Sequence, residues 1–249
     1  MDVEDVSTFD QYFKLMERQK KTLQAASRRQ GERPKDRKPR AKAIDDHMMQ
    51  CMSIGMMKLE YTGSGNHMMH SSFIAPPYLP SVASFKELEK VLLEDLQLET
   101  HHRGLYVLLR AVTPPVRMTG IMVVMEDERD DVVMLQLYQQ EDEKDRPARD
   151  VVGEKGVCIV KEPYFKLMAN GDYGLRIDHV SDLIWLSETD GRVPLQWRPR
   201  ISQLDKTADE WKCEGNAAMK AEEFFDAVKK QVSMLCNHVT LLTIYPDTL

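Results

Sequence analysis

The sequence lacks most of the signatures that announce a chemistry. No run of 18 apolar residues occurs, so no segment has the length of a membrane-crossing helix. Cysteine is scarce, and Cys51, Cys158, Cys213 and Cys236 stand far apart with no CxxC pair. That spacing supports neither a zinc site nor a disulfide framework, and a reducing compartment, cytoplasmic or nuclear, is expected. No glycine-rich phosphate loop is present, and no nucleophile stands at triad or metal-ligand spacing. The opening MDVEDVSTFD is acidic and has no apolar stretch, so no secretory signal is read there. Excess positive charge is absent too. The formal net charge is −6, which gives the chain as a whole no attraction to nucleic acid.

What is present is a modest apolar share, 42% of 249 residues, with 30% charged residues. Those figures predict a limited core with solvated segments around it. The core is expected between Arg103 and Leu186, where short apolar runs follow one another with turn residues between them. Leu105–Val112, Ile121–Met125, Val132–Tyr138 and Val157–Val160 read as strands. Tyr164–Ile177 reads as two more, separated by the turn signal Asn170-Gly171-Asp172. Glu126 to Asp131 reads as the solvated tip of a hairpin. Ser84 and Glu87 fit a capping box, and Phe85, Leu88, Leu92 and Leu96 predict a helix over Ser84–Leu98. Cys158 reads as an inert core thiol.

Upstream, Phe9, Phe13 and Met16 predict a terminal helix that docks on its own domain. Arg28, Arg29, Arg33, Lys35, Arg37, Lys38, Arg40 and Lys42 follow, interrupted by Pro34 and Pro39. Such a run serves as an import signal, as an arm touching nucleic acid, or, most often, as a solvated disordered linker. No aromatics are interleaved for base stacking, which weighs against nucleic acid. Between Asp46 and His70 methionine is dense. Met48, Met52 and Met56 fall on one helix face and are expected to be buried, a better reading than Cu(I) ligation with Cys51 and the nearby histidines.

The most functional-looking stretch is ADEWKCEGNAAMK and its continuation to Lys230. Trp211, Gly215, Phe224 and Ala227 match the packing positions of a tetratricopeptide (TPR) repeat, which the stretch resembles. Gly215 inside a helix costs about 1 kcal/mol against Ala, and close packing of a second helix explains it. The resemblance implies that Lys212 and Asn216, four residues apart, face a groove that takes a C-terminal carboxylate, with Lys220 on the same string. The match decays after Ala227. The apolar end at Leu241, Leu242, Ile244 and Tyr245 gives a route to a homodimer through the C-terminal helices.

THHRGLYVLLRAVTPPVRMTGIMVVMEDE, GVCIVKEPYFKLMANGDYGLRIDH and WKCEGNAAMK together resemble the N-terminal half of fungal TPR-and-SET-domain proteins, predicted protein-lysine methyltransferases. The likeness runs from about Leu98 to Val228. The family's Asn-His-Ser-Cys element and its downstream tyrosine do not occur here. The resemblance therefore implies S-adenosylmethionine only if a SET domain lies downstream, and no cofactor, metal or catalytic residue in this chain.

The fold expected is α+β: N-terminal helices, a small antiparallel β-barrel-like (OB-like) core, then a C-terminal TPR-type helical hairpin. The segments are 1–43 (helix and basic arm), 44–83 (Met-rich helix and Pro-rich connector), 84–190 (helix and β domain), 191–207 (linker) and 208–249 (partial repeat). The function expected is a non-catalytic module that binds a protein or peptide. The alternatives are a fragment of a lysine methyltransferase, and a nucleic-acid binder using an OB-like barrel with the basic arm.

Overall fold

The computed structural model describes residues 24–61, 77–168, 170–198 and 208–220, with 13, 14, 16–18, 20, 21, 228 and 230 besides. The chain divides into two compact units, 1–194 and 195–249. In the first, ten strands form one sheet: β1 (Glu89–Lys90), β2 (Thr100–His101), β3 (Leu105–Ala111), β4 (Val116–Arg117), β5 (Ile121–Glu126), β6 (Val132–Leu137), β7 (Val157–Lys161), β8 (Tyr164–Leu167), β9 (Tyr173–Ile177) and β10 (Leu183–Leu186). Helix α1 (Arg40–Tyr61) precedes them and the single turn α2 (Ala148–Val151) lies between β6 and β7. The second unit contains α3 (Ala208–Lys220).

The hydrogen-bonded order is β10-β7-β3-β5-β6-β9-β8-β2, with β1 added to β3 and β4 to β5. Most pairings are antiparallel, but β6 runs parallel to β9 and β1 parallel to β3. Two residues, Glu162 and Pro163, separate β7 from β8, and Glu162 has a positive φ of 46°. One bent stretch of chain therefore pairs with β3 through its first half and with β9 through its second. The period-2 pattern sets the buried face. Val107, Leu109 and Ala111 of β3, Val123 and Met125 of β5, Leu135 of β6, Cys158 of β7 and Leu175 of β9 share one apolar cluster. Each side chain of Leu or Phe size removed from water there contributes roughly 1.5–3 kcal/mol.

The large mixed sheet corrects the expected fold. The six expected strands appear as β3, β5, β6, β7, β8 and β9, with β1, β2, β4 and β10 besides, and together they do not make a small antiparallel barrel. Strand alternation is a local property, and it carries no information on which strand becomes the neighbour of which. The C-terminal TPR-type hairpin is not met either. Among the described residues that region holds α3 alone, and Phe224, Ala227 and the apolar end lie outside them.

Ser84–Leu98 is not a helix. It contains two isolated 3-10 turns, Phe85–Glu87 and Leu93–Asp95, with β1 between them. The Glu87 carboxylate does accept the Ser84 amide at 2.8 Å, but the cap leads into a single turn. Tertiary partners hold the backbone extended beyond it. The Leu93 amide donates to the Asp127 carboxylate at 2.9 Å, and Val91 donates to the Tyr106 carbonyl at 2.9 Å. Leu93, Leu96 and Leu98 are fully buried in this form; of the expected face, Leu88 and Leu96 are buried, while Phe85 and Leu92 are half-buried.

The methionine face is reversed as well. Met48, Met49 and Met52 are exposed, while His47 is buried. Phe13 is exposed, and Ala26 is buried. The Met56 side chain and Phe9 lie outside the described residues.

Candidate ligand-binding cavity

The basic segment before α1 is a strap docked on the sheet. Its backbone is tied at Gly31, whose amide donates to the Leu98 carbonyl, and at Glu32, whose carbonyl accepts the Leu98 amide, both at 2.9 Å. Gly31 has φ +80°, a conformation open to glycine without strain. Arg29 donates to the Tyr173 hydroxyl at 2.8 Å and pairs with Glu32. Arg33 pairs with Asp95 at 3.1 Å. Arg37 donates to the Leu93 carbonyl at 2.6 Å and lies 4.9 Å above the Phe165 ring. Burial pushes the Arg37 guanidinium below its ordinary pKa. Arg40, the first residue of α1, pairs with the fully buried Glu126 at 2.7 Å. With Lys38, which pairs with Asp46 and Asp172, five of the eight expected arm cations are engaged with the protein itself, while Arg28, Lys35 and Lys42 are exposed. Charges neutralised in this way are not available to a phosphate backbone, which weakens the nucleic-acid alternative.

Under the strap lies a cavity of about 350 Å³. Small-molecule sites span roughly 300–1,000 Å³, so its size suits a small ligand or one side chain with its neighbours. The strap and the first turns of α1 form one wall. Val124, Val132 and Met134 form an apolar floor, and Phe165, Tyr173 and the turn Asn170–Asp172 close the far side. The opening arises where β6 runs past its pairing with β9, which begins at Met134 opposite Gly174.

Lys38 reaches into this space. Its ammonium lies 2.7 Å from Asp46 of α1 and 2.8 Å from Asp172 of the β8–β9 turn. Burial opposes the Lys38 charge, but the two carboxylates outweigh it and hold its pKa above the ordinary lysine value. The same contact holds the Asp46 carboxyl below its usual range. Asp36 is likewise held low, first by the Tyr173 hydroxyl that donates to it at 2.7 Å.

His47 is the least ordinary residue of the lining. It is 1% exposed, and its Nε2 meets the Pro114 carbonyl at 2.9 Å. A carbonyl requires a donor, so Nε2 carries the proton and Nδ1 is an acceptor. Nδ1 is buried and has no partner among the described residues. Burial pushes the imidazole below its ordinary pKa, so it is neutral near pH 7. Cys51 Sγ lies 3.4 Å from His47 Nε2, but burial pushes that thiol up, which leaves it protonated rather than nucleophilic. With Met48, Met49 and Met52 turned outward, no thioether shell surrounds these two, and no metal-ligating cluster of His, Cys, Asp or Glu occurs among the described residues.

A second polar knot fastens the connector before Ser84. Arg176 of β9 and Asp178, just past its end, form a buried pair at 2.7 Å. Asp178 accepts the Tyr78 amide at 3.3 Å, and Asp182 accepts the Ser81 amide at 2.9 Å. The Tyr78 ring meets His101 edge-on with centroids 4.5 Å apart. These contacts orient a segment that has no regular structure of its own.

On α3, Lys212, Asn216 and Lys220 are exposed and recur every four residues, so they form one stripe. Gly215 is buried there, as is Ala218. Trp211 belongs to the helix. The sequence pattern does not mark Asp46, Asp172 or Tyr173 as site residues: Asp172 reads only as part of a turn, and His47 only as one of the histidines beside Cys51 in the less favoured Cu(I) reading.

No family model matches the chain. Over 230 residues it is 33% identical to a protein of Gibberella zeae (strain ATCC MYA-4620 / CBS 123657 / FGSC 9075 / NRRL 31084 / PH-1) described as a methyltransferase. That alignment takes in 92% of this chain but only 29% of the relative. The chain thus spans less than a third of the protein it matches. No helix among the described residues is long and apolar enough to cross a membrane.

Gly171, at the rim of the cavity, sits in the β8–β9 turn with nothing near its Cβ position.

Proposed function

We propose that this chain is the recognition portion of a larger methyltransferase-like protein, and that it binds a partner or substrate without transferring the methyl group itself. The observation that carries this reading is the asymmetry of the similarity. Nearly all of this chain aligns with the Gibberella zeae methyltransferase, and it fills only 29% of that protein. The cavity adds support: it is of ligand size, apolar at its floor, and held open by ion pairs among three separate segments. Its titratable groups are neutral or paired, which suits binding better than proton transfer. On this reading the donor is held elsewhere in the longer protein. The exposed stripe Lys212, Asn216 and Lys220 is a second contact surface, suited to a partner's carboxylate.

The test uses the longer relative. Excision of its 230 homologous residues is expected to leave S-adenosylmethionine binding intact by calorimetry and to raise KM for the methylated partner. Loss of donor binding on that excision would move the cofactor site into this segment and overturn the reading.

A further inference from the structure

The sheet ends on two strands of different character. β2 has two residues, and the Tyr78 ring of the connector packs edge-on against its His101. β10 forms the other edge, and no strand lies beyond it among the described residues. Its residues are Leu183, Ile184, Trp185 and Leu186. Edge strands of monomeric proteins are commonly blunted by charge or proline, and β10 carries neither.

The register shows which backbone groups face outward. The Ala111 amide donates to the Gly156 carbonyl at 2.9 Å, and the Glu162 amide to the Leu105 carbonyl at 2.7 Å. Bonded pairs alternate along an antiparallel ladder, so Cys158 and Val160 of β7 also turn their backbone groups to β3. Val157 and Ile159 then turn theirs to β10, where they meet Leu186 and Ile184. Leu183 and Trp185 are left with their backbone groups facing away from the sheet. The Leu183 amide is taken by the Val180 carbonyl, so the open side presents the Leu183 carbonyl and both groups of Trp185. The side chains divide in the same way. Leu183 and Trp185 pack against the core, and the Trp185 ring lies 3.3 Å from where a Gly156 Cβ would stand. Ile184 and Leu186 lie on the other face, half-buried.

This edge is complementary to itself. Turned about a two-fold axis at Trp185, a second copy sets its Trp185 opposite the first, and each amide meets the other's carbonyl. The Leu183 carbonyl then meets the Ser187 amide of the second copy, and Ile184 stands beside that copy's Leu186. No charged residue occurs between Leu183 and Ser187, and apolar side chains cover one another across the joint.

We propose that β10 pairs antiparallel with β10 of a second copy, joining two sheets edge to edge. Strands of four residues cover less than the roughly 800 Å² per partner of a stable interface, so the dimer is weak, with Kd on the order of 100 µM. The pairing uses no residue of the cavity and stands apart from the function proposed above.

Sedimentation equilibrium of the full chain from about 10 µM to about 1 mM should show a mass that rises with concentration towards the dimer. Exchange of the Trp185 amide, followed by NMR in the unaltered chain, should slow several-fold between the dilute and concentrated ends. Ile184→Lys puts an ammonium into the joint and should weaken the dimer about tenfold or more. Val82→Lys, at an exposed apolar residue of the connector, should leave it unchanged. Circular dichroism checks the fold of Ile184→Lys, and if that variant does not fold, the exchange of the unaltered chain decides. A mass independent of concentration overturns the proposal. A dimer in which Trp185 exchange is unchanged, or which a folded Ile184→Lys leaves intact, overturns it too, because the contact then lies elsewhere on the chain.

Discussion

Glu126 and Arg110 stand directly opposite each other on β5 and β3, and the Glu126 carboxylate is shared between that arginine and Arg40 of α1. Arg110 Nε donates to one carboxylate oxygen at 3.0 Å, and Arg40 Nε to the other at 2.9 Å. The carboxylate is 0% exposed, whereas both arginines keep part of their surface in water. One buried anion thus joins two strands and the start of the helix that walls the cavity. Glu126→Ala is expected to lower stability by about 3 kcal/mol, near the lower end for a broken buried pair, because each arginine can turn to solvent. Urea denaturation measures this. A loss below about 1 kcal/mol would reduce the clamp to an ordinary surface contact.

Three histidines make the fold sensitive to acid. Burial pushes His47, His101 and His102 below the ordinary imidazole pKa. His102 shows the cause most plainly: its Nε2 accepts the Gln97 amide at 2.9 Å while Nδ1 donates to the Pro163 carbonyl at 3.0 Å. Protonation would turn the accepting nitrogen into a donor facing another donor. The unfolded chain takes up protons first, below about pH 6.5, where the folded histidines stay neutral. Stability is therefore full above that pH and falls as the pH drops towards the lower folded values. Thermal melts between pH 7.5 and 5 should show a declining Tm. His102→Leu leaves the Gln97 amide unpaired, while the Pro163 carbonyl keeps the backbone amide of residue 102, and should cost about 1–3 kcal/mol at pH 7.5 while flattening the pH dependence.

The strap is held by Arg37 more than by its surface pairs. The guanidinium combines a short bond to the Leu93 carbonyl with a stacked position over Phe165, and a lysine cannot reproduce that planar geometry. Arg37→Lys and Arg37→Ala should both release the strap locally, while Arg33→Ala, removing an exposed pair with Asp95, should have little effect. Trypsin cleavage after the exposed Lys35 reports this opening. Cleavage about tenfold faster in the Arg37 variants, corresponding to roughly 1.4 kcal/mol of local stability, is expected. Equal cleavage rates in all three variants would mean that the strap is held by its backbone bonds at Gly31 and Glu32.

The linear pattern of residues decided the strands. Alternation through Leu105–Ala111, Ile121–Glu126, Val132–Leu137 and Val157–Lys161 places one set of side chains on a common face, and Asn170-Gly171-Asp172 marks the turn between β8 and β9. These are properties of neighbours two to six residues apart, so they are legible without a fold. Tertiary structure decided which strands pair, including the parallel β6–β9 pairing. It also decided the fate of Ser84–Leu98, where the Asp127 carboxylate and the Tyr106 carbonyl took the backbone groups that a helix would have used internally. The cavity was invisible for the same reason. Lys38, Asp46 and Asp172 belong to three segments, two of them more than a hundred residues apart, and a charge looks solvated in sequence until the chain brings it a partner. Composition set how much could be buried, while distances between remote residues set what was left open to bind.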